Sequence, residues 1–213
     1  MNTARLRFSR ENPNCAQMQK AQEGISVTEI EREYTFLVNE LPRDLGDFPS
    51  IIIEDNFIPK ESGHPILRIR RKGERYEITK KHPVDVAEDG RSGDSSRQVE
   101  HTTPLSKAEY EVLNKCDGKR FKKRRVFYEA GGIKSDIDVY LDKLAGLVTA
   151  DFEFENDEEM AKFEWPSFVG ADVSQEKLIA GGMLAGKSYA DIGGILQEEY
   201  GYEPVKGWER YDE

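Results

Sequence analysis

The chain has 213 residues, enough for one large domain, with 37% hydrophobic residues, 34% charged residues and a formal net charge of −10. That balance argues against a nonspecific coat on nucleic acid, and no apolar run approaches the roughly 18 residues of a membrane span. The N-terminal "MNTARLRFSRENPNCAQMQK" has no apolar core and does not read as a signal peptide. Cys15 and Cys116 form no metal or redox motif, so a cytoplasmic protein with free thiols is expected.

In chain order, residues 1–24 are polar and unpatterned and read as an extension. Thr28–Val38 alternates and reads as the first strand. "NELPRDLGDFPS" (39–50) is turn-rich, with one short helical turn, and "IIIEDNFI" (51–58) reads as a strand. "ILRIRRKG" (66–73) and "ERYEITKK" (74–81) read as two strands around a turn at Lys72-Gly73. The Gly- and Ser-rich stretch 84–98 reads as a mobile connection, and "VEHTTPL" (99–105) as another strand. Ser106 caps a helix pattern, "KAEYEVLNKC", with Tyr110 and Leu113 on one side. Three more strand-like runs follow at 121–130, 134–142 and 147–156. Helices are expected over Asp157–Phe163, Ser174–Leu184 and Tyr189–Tyr200, the last two weakened by Gly181, Gly182, Gly193 and Gly194. About eight strands with few helices predict an α+β fold built on an eight-stranded antiparallel β-barrel, since closure removes the exposed edges.

The charges are sorted by strand. Glu29, Glu31 and Glu33 share one face of the first strand, and Asp151, Glu153 and Glu155 one face of a later one. Asp136 and Asp138 likewise fall together. Arg68 with Arg70, Lys81 with Thr79, and Lys123 with Arg125 make basic faces. The alternate positions are mostly apolar, as in Ile69, Val126, Ile137 and Phe152. A solvated face normally mixes polar types, so all-acid and all-base strands suit an enclosed site for two parts of one ligand. Carboxylates two apart can bind a hard divalent cation through oxygen. Lys and Arg two apart suit phosphate oxygens. A metal–polyphosphate complex needs both, and its cations would offset the repulsion along the glutamate row. His64, His82 and His101 show no ligand or nucleophile spacing and read as loop or surface residues.

Motifs in order then bring a family into view. "EIERE" (29–33) resembles the Glu-x-Glu-x-Lys signature of the CYTH domain, or triphosphate tunnel metalloenzyme, superfamily. "LRIRRKGERYEITKK" resembles its Arg-x-Arg strand followed by Thr-x-Lys, and "KKRRVFY" its Lys-x-Arg strand. "SDIDVYLDKLAGLVTADFEFEND" is similar to the stretch with an Asp and then Glu-x-Glu, and "WPSFVGADVS" to the closing segment. The resemblance covers about residues 27–175. It implies a barrel with a charged tunnel that uses Mg²⁺ or Mn²⁺ on inorganic triphosphate, thiamine triphosphate or nucleotides, and some members cyclise ATP. It further implies Glu29, Glu31, Asp138, Asp151 and Glu153 as metal ligands. Arg68, Arg70, Lys81, Lys123 and Arg125 would bind phosphate, and Glu33 and Lys81 would stand at the reacting centre. Choosing Lys123 and Arg125 over Lys122 and Arg124 is a choice of register, and Glu100 is a further candidate for the tunnel face. Glu33 departs from the family pattern, which has Lys there.

The expected activity is metal-dependent hydrolysis of a short triphosphate, with ATP cyclisation, thiamine triphosphate hydrolysis or polyphosphate binding without turnover as alternatives. RNA binding through "KRFKKRR" is a further, weaker reading. The expected division is 1–24 extension, 25–175 tunnel barrel and 176–213 helical segment packed on it. No nucleic-acid or membrane partner is expected, and a homodimer stays open.

Overall fold

The computed structural model describes residues 27–63, 67–83 and 97–212. The expected extension, Cys15, His64 and the connection up to residue 96 lie outside the described residues. The strands are β1 (Val27–Val38), β2 (Ser50–Ile58), β3 (Leu67–Lys72), β4 (Arg75–Pro83), β5 (Arg97–Leu105), β6 (Lys119–Ala130), β7 (Ile133–Tyr140), β8 (Val148–Glu153) and β9 (Val169–Asp172). They form one antiparallel sheet in the order β5-β4-β3-β2-β6-β7-β8-β1-β9. β1 has a double role. Its residues Glu33–Leu37 pair with β8, and its residues Val27–Arg32 pair with β5, at the far end of the same order.

The fold is therefore α+β on an antiparallel sheet, as expected, but the sheet has nine strands rather than eight. The extra one, β9, lies in the closing segment and pairs with β1 only at Phe36 and Val38, across a register shift. Four residues are too few to show an alternating pattern.

Alternation puts the apolar residues of the strands on one face, and there the core forms. Phe36, Val126, Tyr128, Ile137, Val139, Ala150 and Phe152 join one buried cluster with Ile179, Leu184, Ile192, Leu196, Tyr202 and Val205 from the C-terminal segment. The C-terminal helix Tyr189–Tyr200 presents Ile192 and Leu196, one turn apart, to this cluster. Each fully buried side chain of this size contributes roughly 1.5–3 kcal/mol by leaving water. The helix begins where the Ser188 backbone N–H donates to Asp191 Oδ2 at 2.7 Å. It stops at Gly201, whose φ of 64° suits glycine. A shorter helix, Lys107–Leu113, covers the outer side of β3 and β4, with Tyr110 stacked on Tyr76 at 4.7 Å. Its Ser106–Glu109 capping box matches the sequence expectation.

Two expected helices change. The stretch Ser174–Leu184 is broken at Ala180 into a 3-10 turn, Lys177–Ile179, and a single turn, Gly181–Leu184. Adjacent glycines weaken a helix, and a β-carbon at Gly181 would lie 2.8 Å from Phe57 Cζ, so close packing rather than helicity sets this residue. The Asp157 helix ends at Ala161. The turn between β3 and β4 falls at Gly73-Glu74, with Gly73 at φ 61°. Among the described residues, no helix is long and apolar enough to cross a membrane.

Candidate active site

Directly opposed residues on paired strands project to the same face of a sheet, so the register can be followed from strand to strand. From β6, Arg125 opposes Asp138, and Lys123 opposes Tyr140. On β7 and β8, Asp136 opposes Asp151. On β8 and β1, Asp151 opposes Thr35, and Glu153 opposes Glu33. In the other direction, Lys123 opposes Ile53 of β2, and Asp55 on that strand opposes Arg70 of β3. Arg68 opposes Thr79, and Arg70 opposes Glu77. Thr79 opposes Thr102, and Lys81 opposes Glu100. Glu100 then opposes Glu29, which has the same parity on β1 as Glu33. The walk returns to its own strand without changing face.

The alternate parity belongs to the core side. Arg124 Nε donates to the carbonyl of Tyr211 at 2.6 Å, in the C-terminal segment. This places Lys123 and Arg125, not Lys122 and Arg124, on the charged face.

Across β6, β7 and β8 the charges are tightly matched. Arg125 donates from Nε and Nη2 to Asp138 at 2.8 and 2.6 Å, from Nη1 to Asp136 at 2.7 Å, and from Nη2 to Asp151 at 3.0 Å. Lys123 also donates to Asp138, which is fully buried. Burial alone would raise the Asp138 carboxyl, but Arg125 and Lys123 outweigh it and hold the group well below the usual carboxylate range. Asp151 moves the other way: burial and the neighbouring Asp138 raise it, against Arg125 and Lys123. Thr35 Oγ1 steadies it by donating to Oδ1 at 2.9 Å. Burial also lowers the Lys123 ammonium, which lies 5.5 Å from the Tyr140 ring centre.

Across β2 and β3, Asp55 and Arg70 form a buried pair. Arg70 donates from Nε and Nη2 to the two Asp55 oxygens at 2.7 and 2.8 Å. Next to them, Lys72 is lowered by burial and by Arg125 and Arg70.

Across β3, β4, β5 and β1 the contacts are longer. Arg68 Nη2 stands 3.8 Å from Glu100, and the buried Arg68 Nε has no hydrogen-bond partner among the described residues. Lys81 stands 3.2 Å from Glu100 and 3.8 Å from Glu33. Burial would raise Glu100, but Lys81, Arg68 and a hydrogen bond from Thr102 bring it down to about 2. Lys81 thus partly offsets Glu33 on β1.

The sequence-derived set falls into place unevenly. Arg68, Arg70, Lys81, Lys123, Arg125, Asp138, Asp151, Glu153 and Glu33 share the charged face. Glu29 and Glu31 occupy β1 positions opposite Glu100 and Gln98, while their side chains lie outside the described residues. His101 is exposed, and the side chain of His82 lies outside the described residues. Among the described residues, no three His, Cys, Asp or Glu side chains gather closely enough to hold a metal ion. Asp55, Lys72, Glu77 and Tyr140 were not singled out from the sequence. Lys72 simply continues the Arg68-x-Arg70 alternation, a signal that was present.

No family model matches the chain. An inorganic triphosphatase of Nitrosomonas europaea is 26% identical over 153 residues, which is 71% of this chain and 92% of that protein. Two crystal structures of a protein designated NE1496 share the fold. One, described as a hypothetical protein, has a TM-score of 0.53 at 24% identity and covers 74% of this chain and 99% of that one. The other, described as an inorganic triphosphatase, has a TM-score of 0.52 at 22% identity and covers 74% of this chain and 95% of that one. The chain is thus similar in fold to the NE1496 structures and in sequence to an inorganic triphosphatase over nearly the whole length of that relative.

Proposed function

We propose that the chain is a triphosphatase that hydrolyses a short triphosphate, inorganic triphosphate first, inside a closed eight-stranded tunnel. The observation that carries this reading is the register walk: acids and bases occupy one face through β1 to β8, and the β5–β1 pairing links the two ends. The relative's activity supports the choice of substrate. We further propose that residues 25–175 form the catalytic unit and that 176–213 brace it from the core side.

Carboxylate oxygens are the donors that Mg²⁺ and Mn²⁺ take, so the residue types fit a metal. Asp136, Asp138 and Asp151 are committed to Arg125. The holders we propose are therefore Glu29 and Glu31 on β1 and Glu153 on β8, with Asp138 and Asp151 in support. When bound, the metal would neutralise phosphate charge and acidify a water. The chain's own residues do the rest. Arg68, Arg70 and Lys81 fix the phosphate chain by charge-assisted hydrogen bonds. Lys123 and Arg125 keep the adjoining wall positive. Glu33, beside Lys81, accepts a hydrogen bond from water near the terminal phosphorus, orienting it for in-line attack.

Phosphate release from inorganic triphosphate, ATP and thiamine triphosphate, each with Mg²⁺ or Mn²⁺, tests the proposal. Fastest release from inorganic triphosphate supports it. Pyrophosphate release from ATP would instead indicate cyclisation, and binding without turnover would indicate a holding module.

A further inference from the structure

Arg70 and Arg125 both lie in the charged face, yet they are held differently. A guanidinium has five N–H donors and two edges on which it can grip an anion. Arg125 spends donors on three carboxylates, from Nε, Nη1 and Nη2 alike. Arg70 spends Nε and one Nη2 hydrogen on a single carboxylate, Asp55. Among the described residues, its remaining edge, the two Nη1 hydrogens and the second on Nη2, meets Glu77, with Nη1 at 3.9 Å from Oε1. Asp55 is 2% exposed and Arg70 8%. The pair is thus fixed from behind, on the wall of β2, with the end-on edge left over.

Asp55 has a further property. It is an acid on a strand whose other charged-face residues are Ile51, Ile53 and Phe57, so Arg70 is its one paired cation across the β2–β3 ladder. A long flexible Arg loses rotamer freedom when it grips a ligand. An Arg already held by a buried bidentate carboxylate has lost that freedom in advance.

We propose that Asp55 is a positioning residue for anion binding: it grips the side edge of Arg70 so that the end-on edge is presented, already oriented, to a phosphate group of the substrate. This rests on the triphosphatase reading above. Asp55 acts through Arg70 and touches no substrate itself.

Steady-state hydrolysis of inorganic triphosphate by the full chain, with Asp55→Asn, Asp55→Glu, Arg70→Gln and the Asp55→Asn/Arg70→Gln double variant, tests this. Asp55→Asn should raise KM by roughly tenfold, the lower end of the scale on which supporting partners of a binding residue act, with a smaller change in kcat. Asp55→Glu keeps the charge and the fold but moves the guanidinium, and should also raise KM at an unchanged melting temperature. In the Arg70→Gln background, Asp55→Asn should change KM no further. Parental KM in Asp55→Glu and in whichever Asp55→Asn protein folds overturns the inference. So does an equal KM increase in both backgrounds, because that is a structural effect independent of Arg70. A parent that neither binds nor hydrolyses triphosphate overturns the function itself, a different result from an active parent with indifferent variants.

Discussion

The two halves of the charged face are built on opposite principles. On β6, β7 and β8, Arg125, Lys123, Asp136, Asp138 and Asp151 satisfy one another at hydrogen-bond distances and are largely buried. On β3, β4, β5 and β1, the ion pairs Arg68–Glu100, Lys81–Glu100 and Lys81–Glu33 span 3.2–3.8 Å, and one Arg68 nitrogen has no hydrogen-bond partner among the described residues. A saturated cluster resists an incoming anion, because each new hydrogen bond must replace an existing one. A loosely paired cluster gains by meeting an anion. Under the proposed function, the first half would give structural support and the second would capture the ligand.

The strongest way to break the comparison is Asp138→Asn. It leaves buried Lys123 and Arg125 with one acceptor fewer, a change on the order of 3–5 kcal/mol for a broken buried pair. Denaturant unfolding should show that loss, whereas Glu100→Gln, in the looser half, should lose less, because its ion pairs, at 3.2 and 3.8 Å, are longer than those of Asp138. Equal losses would erase the distinction.

Acid unfolding sharpens it. Glu100 has its folded-state value lowered from 4.5 to about 2. A lowered carboxyl contributes stability above its unfolded value and loses it as pH falls through the folded one. The parent should therefore lose stability between about pH 4.5 and about pH 2, and Glu100→Gln should flatten that stretch of the curve. Asp138 lies lower still, so its contribution should persist to more acid pH.

The smallest expected effect is at Glu33. Lys81 already offsets it at 3.8 Å. Glu33→Lys removes the water-orienting carboxylate and adds a cation, so the maximal rate should fall while less Mg²⁺ is needed for half-maximal turnover. Superimposable Mg²⁺ titrations of parent and variant would make Glu33 a bystander.

Much of this arrangement could be read from residue order. The alternations Arg68-x-Arg70 and Lys123-x-Arg125 set parity, and parity alone put those side chains on the charged face. What parity could not set was the pairing between distant strands. "IIIEDNFI" carries isoleucine at both parities and two adjacent acids, Glu54 and Asp55, so nothing local says which acid turns inward. Only the register with β3 puts Asp55 opposite Arg70. Tyr140 continues an apolar run, and its place beside Lys123 likewise comes from a partner strand. The helix expected after Ser174 breaks at Ala180, whose ψ of 133° is extended, and periodicity carries no signal for that single residue.

Substrate capture by the loosely paired half is examined most directly by Arg68→Gln. Initial rates of phosphate release from inorganic triphosphate should show turnover by the parent. The variant should keep its fold, because little depends on Arg68 structurally, and should raise KM by roughly tenfold through loss of a charge-assisted contact. An inactive parent, or a variant with the parental KM, would show that Arg68 does not hold the substrate.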